Sequence, residues 1–236
     1  MQLELAVLPL PADSSTPNAR RGQFGNLLYH YDRQLYDECF SPSADTGPSG
    51  LQDRPRPFVL RPRALHIFSP ALVPRLAGLL DVQPQTIRWP LDPLPARRLR
   101  VEFVTPTELK QNGAVLHTPN FAALAARARD RVLSLLAFYQ NEATDEVDFA
   151  ALAAQAAAVT ETARSIRFHA GQTRRSVRNQ NIHSIGGFEG WAEYSGPLDA
   201  LTPYLIAAQW TGVGRQTVWG KGEIRVTVLP FEECSA

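Results

Sequence analysis

Four glycines, Gly212, Gly214, Gly220 and Gly222, bracket Arg215, Trp219 and Lys221 close to the C-terminus of a 236-residue chain. This stretch constrains the fold more than any other, because its flanks have different periodicities. Upstream, residues 197–209 read as a helix, and downstream, residues 223–228 alternate as a strand. Glycine permits positive φ and close backbone approach, so such a loop can turn its N–H groups toward a phosphate. The glycine motifs of dinucleotide-binding folds and P-loops run in the opposite order, from strand into helix. That order argues against a nucleotide cofactor. A tight turn in which the glycines serve chain geometry alone stays open.

The rest of the chain supplies the parts of a layered α+β fold. Residues 3–10 read as an opening strand. A helix begins near Arg20 and runs toward Cys39, with Phe24, Leu27, Leu28, Tyr31 and Leu35 on one face. Residues 41–57 are rich in Ser, Gly, Pro and Asp and read as a loop. Residues 57–61 and 64–68 make a hairpin, 70–80 a short helix and 86–89 a closing strand. The order β-α-β-β-α-β is that of a ferredoxin-like unit. Residues 90–96, with Pro90, Pro93 and Pro95, make a linker. Beyond it come a strand at 99–104, helices at 121–139 and 149–162, a strand at 165–169, a strand at 187–195, a helix at 197–208 and a strand at 222–228. The expectation is tandem ferredoxin-like (RRM-like) units at 1–92 and 97–236. The second carries a helical insertion at about 119–162 and the C-terminal glycine-rich loop, with residues 99–104 and 222–228 in one sheet.

Composition enters through charge. The net charge is only +1, but its distribution is uneven. Residues 54–100 hold nine arginines against Asp81 and Asp92, and residues 164–178 hold five arginines and no acid. A neutral protein with segregated basic segments can present a basic face. Only Lys110 and Lys221 are lysine. Arginine suits bidentate phosphate contacts, although a GC-rich coding sequence gives the same bias. Cys39 and Cys234 have neither metal spacing nor the makings of a disulfide framework, which points to a reducing cytoplasm. The apolar N-terminus contains Glu4 and lacks a basic leader, so it does not read as a signal peptide. No apolar run approaches membrane-spanning length. No metal or cofactor is expected: His, Cys and the acids lack zinc spacing, and no G-x-S-x-G element is present.

Three motifs taken together resemble a known family. They are the glycine loop with its closing strand, the strand end Phe103-Val-Thr-Pro-Thr107, and Gly186-Gly-Phe-Glu-Gly190 after the basic segment 175–180. This combination resembles the CRISPR-associated endoribonucleases of the RAMP superfamily, which cut precursor CRISPR RNA within its repeats. The likeness covers most of residues 99–228 and, more loosely, 1–63, where Pro55-Arg-Pro-Phe58 is similar to the family's first-domain strand.

The resemblance implies a metal-independent endoribonuclease acting on a CRISPR repeat stem-loop and retaining its product, with other CRISPR effector subunits as further partners and no membrane. The alternative within the family is a catalytically inactive RNA-binding subunit of an effector complex. Cleavage needs a base for the 2′-hydroxyl, an acid for the leaving oxygen and a cation for the phosphorane. The family places a histidine on or just after its first helix. His30 stands on that helix, which makes His30, Tyr31 and Arg21 the catalytic candidates. Many members carry the histidine at the helix end, here Cys39-Phe40, where this chain has none. Either His30 acts from another turn, or arginines and tyrosines carry the reaction, or the protein binds without cutting. The RNA-binding candidates are Arg174, Arg175 and Arg178, together with Gly212, Gly214, Arg215, Trp219, Gly220, Lys221 and Gly222. His66 and His117 read as structural, and His169 and His183 as loop residues flanking the arginines.

Overall fold

The first sheet is built around β1 (Gln2–Pro9), and the chain continues through α1 (Pro17–Tyr31), α2 (Arg33–Phe40), β2 (Phe58–Leu60), β3 (Ala64–Ile67), α3 (Val73–Leu80) and β4 (Gln85–Pro90). A computed structural model describes residues 1–12, 16–40, 54–144, 146–169, 173–175, 182–184 and 186–230. The expected loop at 41–57 therefore lies mostly outside the described residues. β1 pairs antiparallel with β3 on one side and β4 on the other, and β2 pairs with β3. The strand order β2-β3-β1-β4 is that of a ferredoxin-like sheet. Leu8, Leu28, Leu35, Cys39, Phe58 and Leu76 are at most 1% exposed and form one core between sheet and helices.

The single helix expected between Arg20 and Cys39 is two helices, and Asp32 is the reason. The Asp32 N–H donates to Leu28 O at 2.8 Å and closes α1. Its Oδ1 accepts from the Leu35 N–H at 2.9 Å and caps α2. The backbone at Asp32 is extended, with φ −152°. At the other end of α1, Thr16 caps through Oγ1 and Pro17 takes the first helical position.

The second sheet follows from β5 (Arg98–Thr107), the small hairpin β6 (Lys110–Gln111) and β7 (Ala114–Val115), α4 (Phe121–Tyr139), α5 (Phe149–Ala157), β8 (Thr160–His169), the hairpin β9 (Thr173–Arg175) and β10 (Ile182–Ser184), β11 (Gly187–Ser195), α6 (Thr202–Thr211) and β12 (Ile224–Val228). Its order, β12-β5-β11-β8, is ferredoxin-like again. Ile224 faces Phe103 and Val228 faces Leu99, so 99–104 and 222–228 share one sheet as expected. Leu99, Val101 and Phe103 point into the core while Arg100 and Glu102 point out, the alternation legible in the sequence.

Two boundaries move. The second helix ends at Ala157 rather than near 162, because residues 160–169 pair along the whole of β11 from Ser195 to Gly187. Tertiary pairing overrides the helix propensity of an alanine-rich run. α6 starts at Thr202 rather than 197. Pro203 lacks an N–H and fits a first turn, not a helix interior. The chain divides into two compact units, Met1–Asp92 with Asp130–Val147 and Gln216–Gly220, and Pro93–Arg129 with Asp148–Arg215 and Lys221–Ala236.

Candidate nucleic-acid interface and catalytic residues

In the second unit the two ends of the glycine loop, residues 212–215 and 221–222, are held by the fold. Val213 N–H donates to Gly222 O at 2.9 Å, Arg215 N–H to Glu108 O at 3.0 Å, and Gly222 N–H to Pro106 O at 3.3 Å. Gly212 N–H continues the helix to Ala208 O at 2.9 Å. Close approach explains the glycines: at Gly222, φ +67°, an added Cβ would lie 1.9 Å from Val213 O, and at Gly214, φ +78°, 2.5 Å from Glu108 O. These N–H groups are therefore committed to the chain itself rather than turned outward.

The two cations of the loop are engaged too. Arg215 Nη1 meets Glu108 Oε1 at 2.6 Å, the arginine half exposed and the carboxylate buried. Lys221 is buried, its Nζ donates to Gly186 O at 3.0 Å, and burial holds its pKa below the ordinary value. Glu108 lies 107 residues from Arg215 along the chain, so sequence adjacency hides the acid that pairs with it. Around β8 and β11, His117 stacks on Phe168 with ring centroids 4.2 Å apart, and His169 Nε2 lies 2.7 Å from Glu189 Oε2. β9 carries Arg174 and Arg175 opposite His183 and Ile182 of β10. Their side chains, that of Trp219 and the whole of Arg178 lie outside the described residues.

In the first unit the three catalytic candidates separate. Arg21 and His30 are nine residues apart on α1. That places them about 13 Å apart along the axis and on opposite faces of the helix. His30 and Tyr31 are exposed in the last turn, where His30 meets the Tyr29 ring edge-on. Arg21 instead lies over the Phe40 ring, 5.1 Å from its centroid. Phe40 stacks on Tyr36 at 5.0 Å, so Arg21 stands beside the end of α2.

That end of α2 collects residues the sequence reading passed over. Arg56 Nη1 donates to Phe40 O at 2.8 Å. Arg54 lies over the Tyr139 ring at 5.1 Å, and the Tyr139 hydroxyl donates to Pro55 O. Burial, then the charge of Arg56, lowers the pKa of Arg21, while Tyr36 opposes both. Burial also lowers Arg56, and it pushes Arg131 down to about 10, with Arg56 adding to the effect and Tyr139 opposing it. The carboxylates of α2 are committed elsewhere: Asp32 and Glu38 bind Arg75 at 2.7 and 2.9 Å, and Asp37 binds Arg33 at 3.3 Å. Arg131 had one signal in the sequence. It sits between Ala128, Val132 and Leu135, on the stripe α4 buries.

Comparison with known proteins accounts for this architecture. A family model described as CRISPR-associated endoribonuclease Cas6 matches residues 101–224. Among solved structures, Thermus thermophilus Cas6 (TTHB231) is similar over 96% of this chain and 98% of its own, at 16% identity and a TM-score of 0.63. Cas6 (TTHA0078) in a substrate mimic complex is similar over 96% and 99%, at 18% identity and a TM-score of 0.60. A Cas6 (TTHB231) product complex gives 96% and 100%, 18% and 0.60. At these identities the structural likeness speaks to the fold. No curated protein matches the chain. The family match spans more than half of the sequence and contains most of β5, all of β11, the glycine loop and the start of β12, and on it the chain belongs to the CRISPR-associated endoribonuclease family Cas6.

Proposed function

We propose that this protein cleaves CRISPR repeat RNA by attack of a 2′-hydroxyl on the adjacent phosphate, leaving a 2′,3′-cyclic phosphate and a 5′-hydroxyl. Family membership supports the reaction class, and the substrate mimic and product complexes of the structural neighbours support an RNA stem-loop as the ligand. The chemistry centres on Arg21 and Tyr36. The observation that carries this assignment is the position of Arg21 over Phe40, within electrostatic reach of the Tyr36 hydroxyl and of Arg56. The 2′-hydroxyl gives its proton to solvent hydroxide as its oxygen bonds to phosphorus, Arg21 stabilises the charge that develops on the phosphorane, and the Tyr36 phenol donates a proton to the 5′-oxygen as its bond to phosphorus breaks. His30, on the opposite face of α1, belongs to a different arrangement: it would act alone, with Tyr31 as its neighbour. Arg174, Arg175 and Arg178 contact the RNA backbone, and the product stays bound.

Incubation with repeat RNA in EDTA, followed by analysis of the ends, tests the reaction. Intact RNA bound at nanomolar affinity would replace this reading with that of a silent RNA-binding subunit. A pH–rate profile then separates the two sites. A rate still climbing through pH 9 supports Arg21 and Tyr36, whereas a limb near pH 6–7 would return the chemistry to His30.

A further inference from the structure

We propose that Arg131 and Arg56 form an anion site in the first unit that receives a backbone phosphate of the bound RNA. This proposal rests on the preceding reading for the identity of its ligand, but not for the existence of the site. The carrying observation is a guanidinium without a counter-charge. Nε and Nη2 of Arg131 are shielded from solvent and have no hydrogen-bond partner among the described residues. A buried cation is tolerated when it is paired and hydrogen-bonded, and these two nitrogens of Arg131 have no such partner among the described residues. Its charged neighbour is another cation, Arg56, whose one assigned contact is the neutral Phe40 carbonyl. Nε of Arg54, stacked on Tyr139, is buried and without a partner as well.

The nearby acidic groups do not supply the missing charge. Tyr139 is raised by burial and its hydroxyl is taken by Pro55 O. Cys39 is pushed up to about 12 by burial and stays a thiol. Asp32, Asp37 and Glu38 are bound to Arg75 and Arg33. None of these described groups neutralises Arg131, which leaves its charge for a ligand to meet. Arg54, Arg56, Tyr36 and Tyr139 are half-buried rather than sealed, and part of Arg131 itself reaches the surface, so an anion has access. A forked guanidinium within electrostatic reach of a second one suits a tetrahedral phosphate, which can accept from both.

Two arms test this. In the first, thermal unfolding of the RNA-free protein is followed in inorganic phosphate and in chloride at matched ionic strength. Wild type should be stabilised by phosphate, and R131M should lose that response while being no less stable in chloride. A structural arginine would behave in the opposite way, R131M unfolding earlier in both salts. In the second, repeat-RNA affinity is measured across salt concentration. R131M should weaken binding about ten-fold and lower the salt slope by about 0.7–0.9, while R131K, which keeps the charge, retains the slope. A phosphate response with an unchanged RNA slope would overturn the backbone assignment and leave a site for free phosphate. No phosphate response in wild type would overturn the site. If R131M is recovered unfolded, R56Q carries the same two expectations. Cleavage is not the readout, so failure of the catalytic proposal is distinguishable from failure of this one.

Discussion

The ends of the glycine loop, in the second unit, and the arginine cluster of the first hold the same kinds of group in opposite states. In the loop, backbone N–H groups find carbonyls of the same fold, Arg215 finds Glu108, and Lys221 finds Gly186 O. At the end of α2, Arg56 and Arg131 repel each other, and Nε and Nη2 of Arg131 donate to nothing among the described residues. Satisfied polar groups are architecture, since removing one leaves its partner stranded. An unsatisfied buried cation is a standing cost that only a ligand of opposite charge offsets. A glycine-rich motif marks a family well, yet the chemistry is better sought where the fold leaves charge uncompensated.

The largest expected effect tests that inference directly. Arg21→Ala and Tyr36→Phe should each slow single-turnover cleavage of repeat RNA by about 10²- to 10⁴-fold. His30→Ala should stay within a few-fold of wild type. The reverse pattern, with His30→Ala inactive and Tyr36→Phe active, would move the centre to the last turn of α1.

The loop should respond through stability. Gly222→Ala places a methyl against Val213 O in a left-handed conformation, and should destabilise the protein by about 2 kcal/mol or more in denaturant unfolding. Arg215→Ala strands the buried Glu108 carboxylate and should cost about 1–3 kcal/mol, discounted because the arginine is half exposed. If Arg215→Ala and R131M shift stability in the same direction, the contrast between the two regions fails.

pH offers a test of the core beneath the cluster. Cys39 has an ordinary value of 9.0 and is pushed up to about 12 in the fold. Between those values the unfolded chain loses the thiol proton and the folded chain keeps it, so this group's contribution to stability falls as pH rises from about 9 to 12. Cys39→Ala should flatten that decline. An equally steep decline in the variant would assign it to other groups.

How much of this the sequence disclosed depends on the range of the interaction. Strands with clean alternation, such as Leu99, Val101 and Phe103 in β5, were legible because burial alone dictates them. So was the strand order, since β-α-β-β-α-β appears twice in one dimension. Asp32 hid the break between α1 and α2 because an aspartate in mid-pattern reads as a polar helix face until its capping bonds are seen. The proposed site was less legible. Arg21 was within reach of sequence reasoning through the family's first helix, but Tyr36, Arg56 and Arg131 meet only after folding. Arg215 stands in glycine-rich sequence, and its acidic partner lies 107 positions away.

The smallest expected effect supplies the control. On the open face of the second sheet, Arg100 lies over the Trp191 ring at 4.2 Å and binds Glu193 at 2.6 Å. It is as fully partnered as Arg131 is not, but it is about 45% exposed. An exposed pair gains little over hydration and is screened by salt, so Arg100→Ala should change stability by about 1 kcal/mol or less, and less again in high salt. It should leave the phosphate response untouched, because Glu193 already neutralises the charge. If Arg100→Ala abolished phosphate stabilisation as completely as R131M, the response would report overall positive charge rather than a site. Comparing these two arginines at matched net charge therefore isolates what lack of a partner contributes, independent of the charge itself.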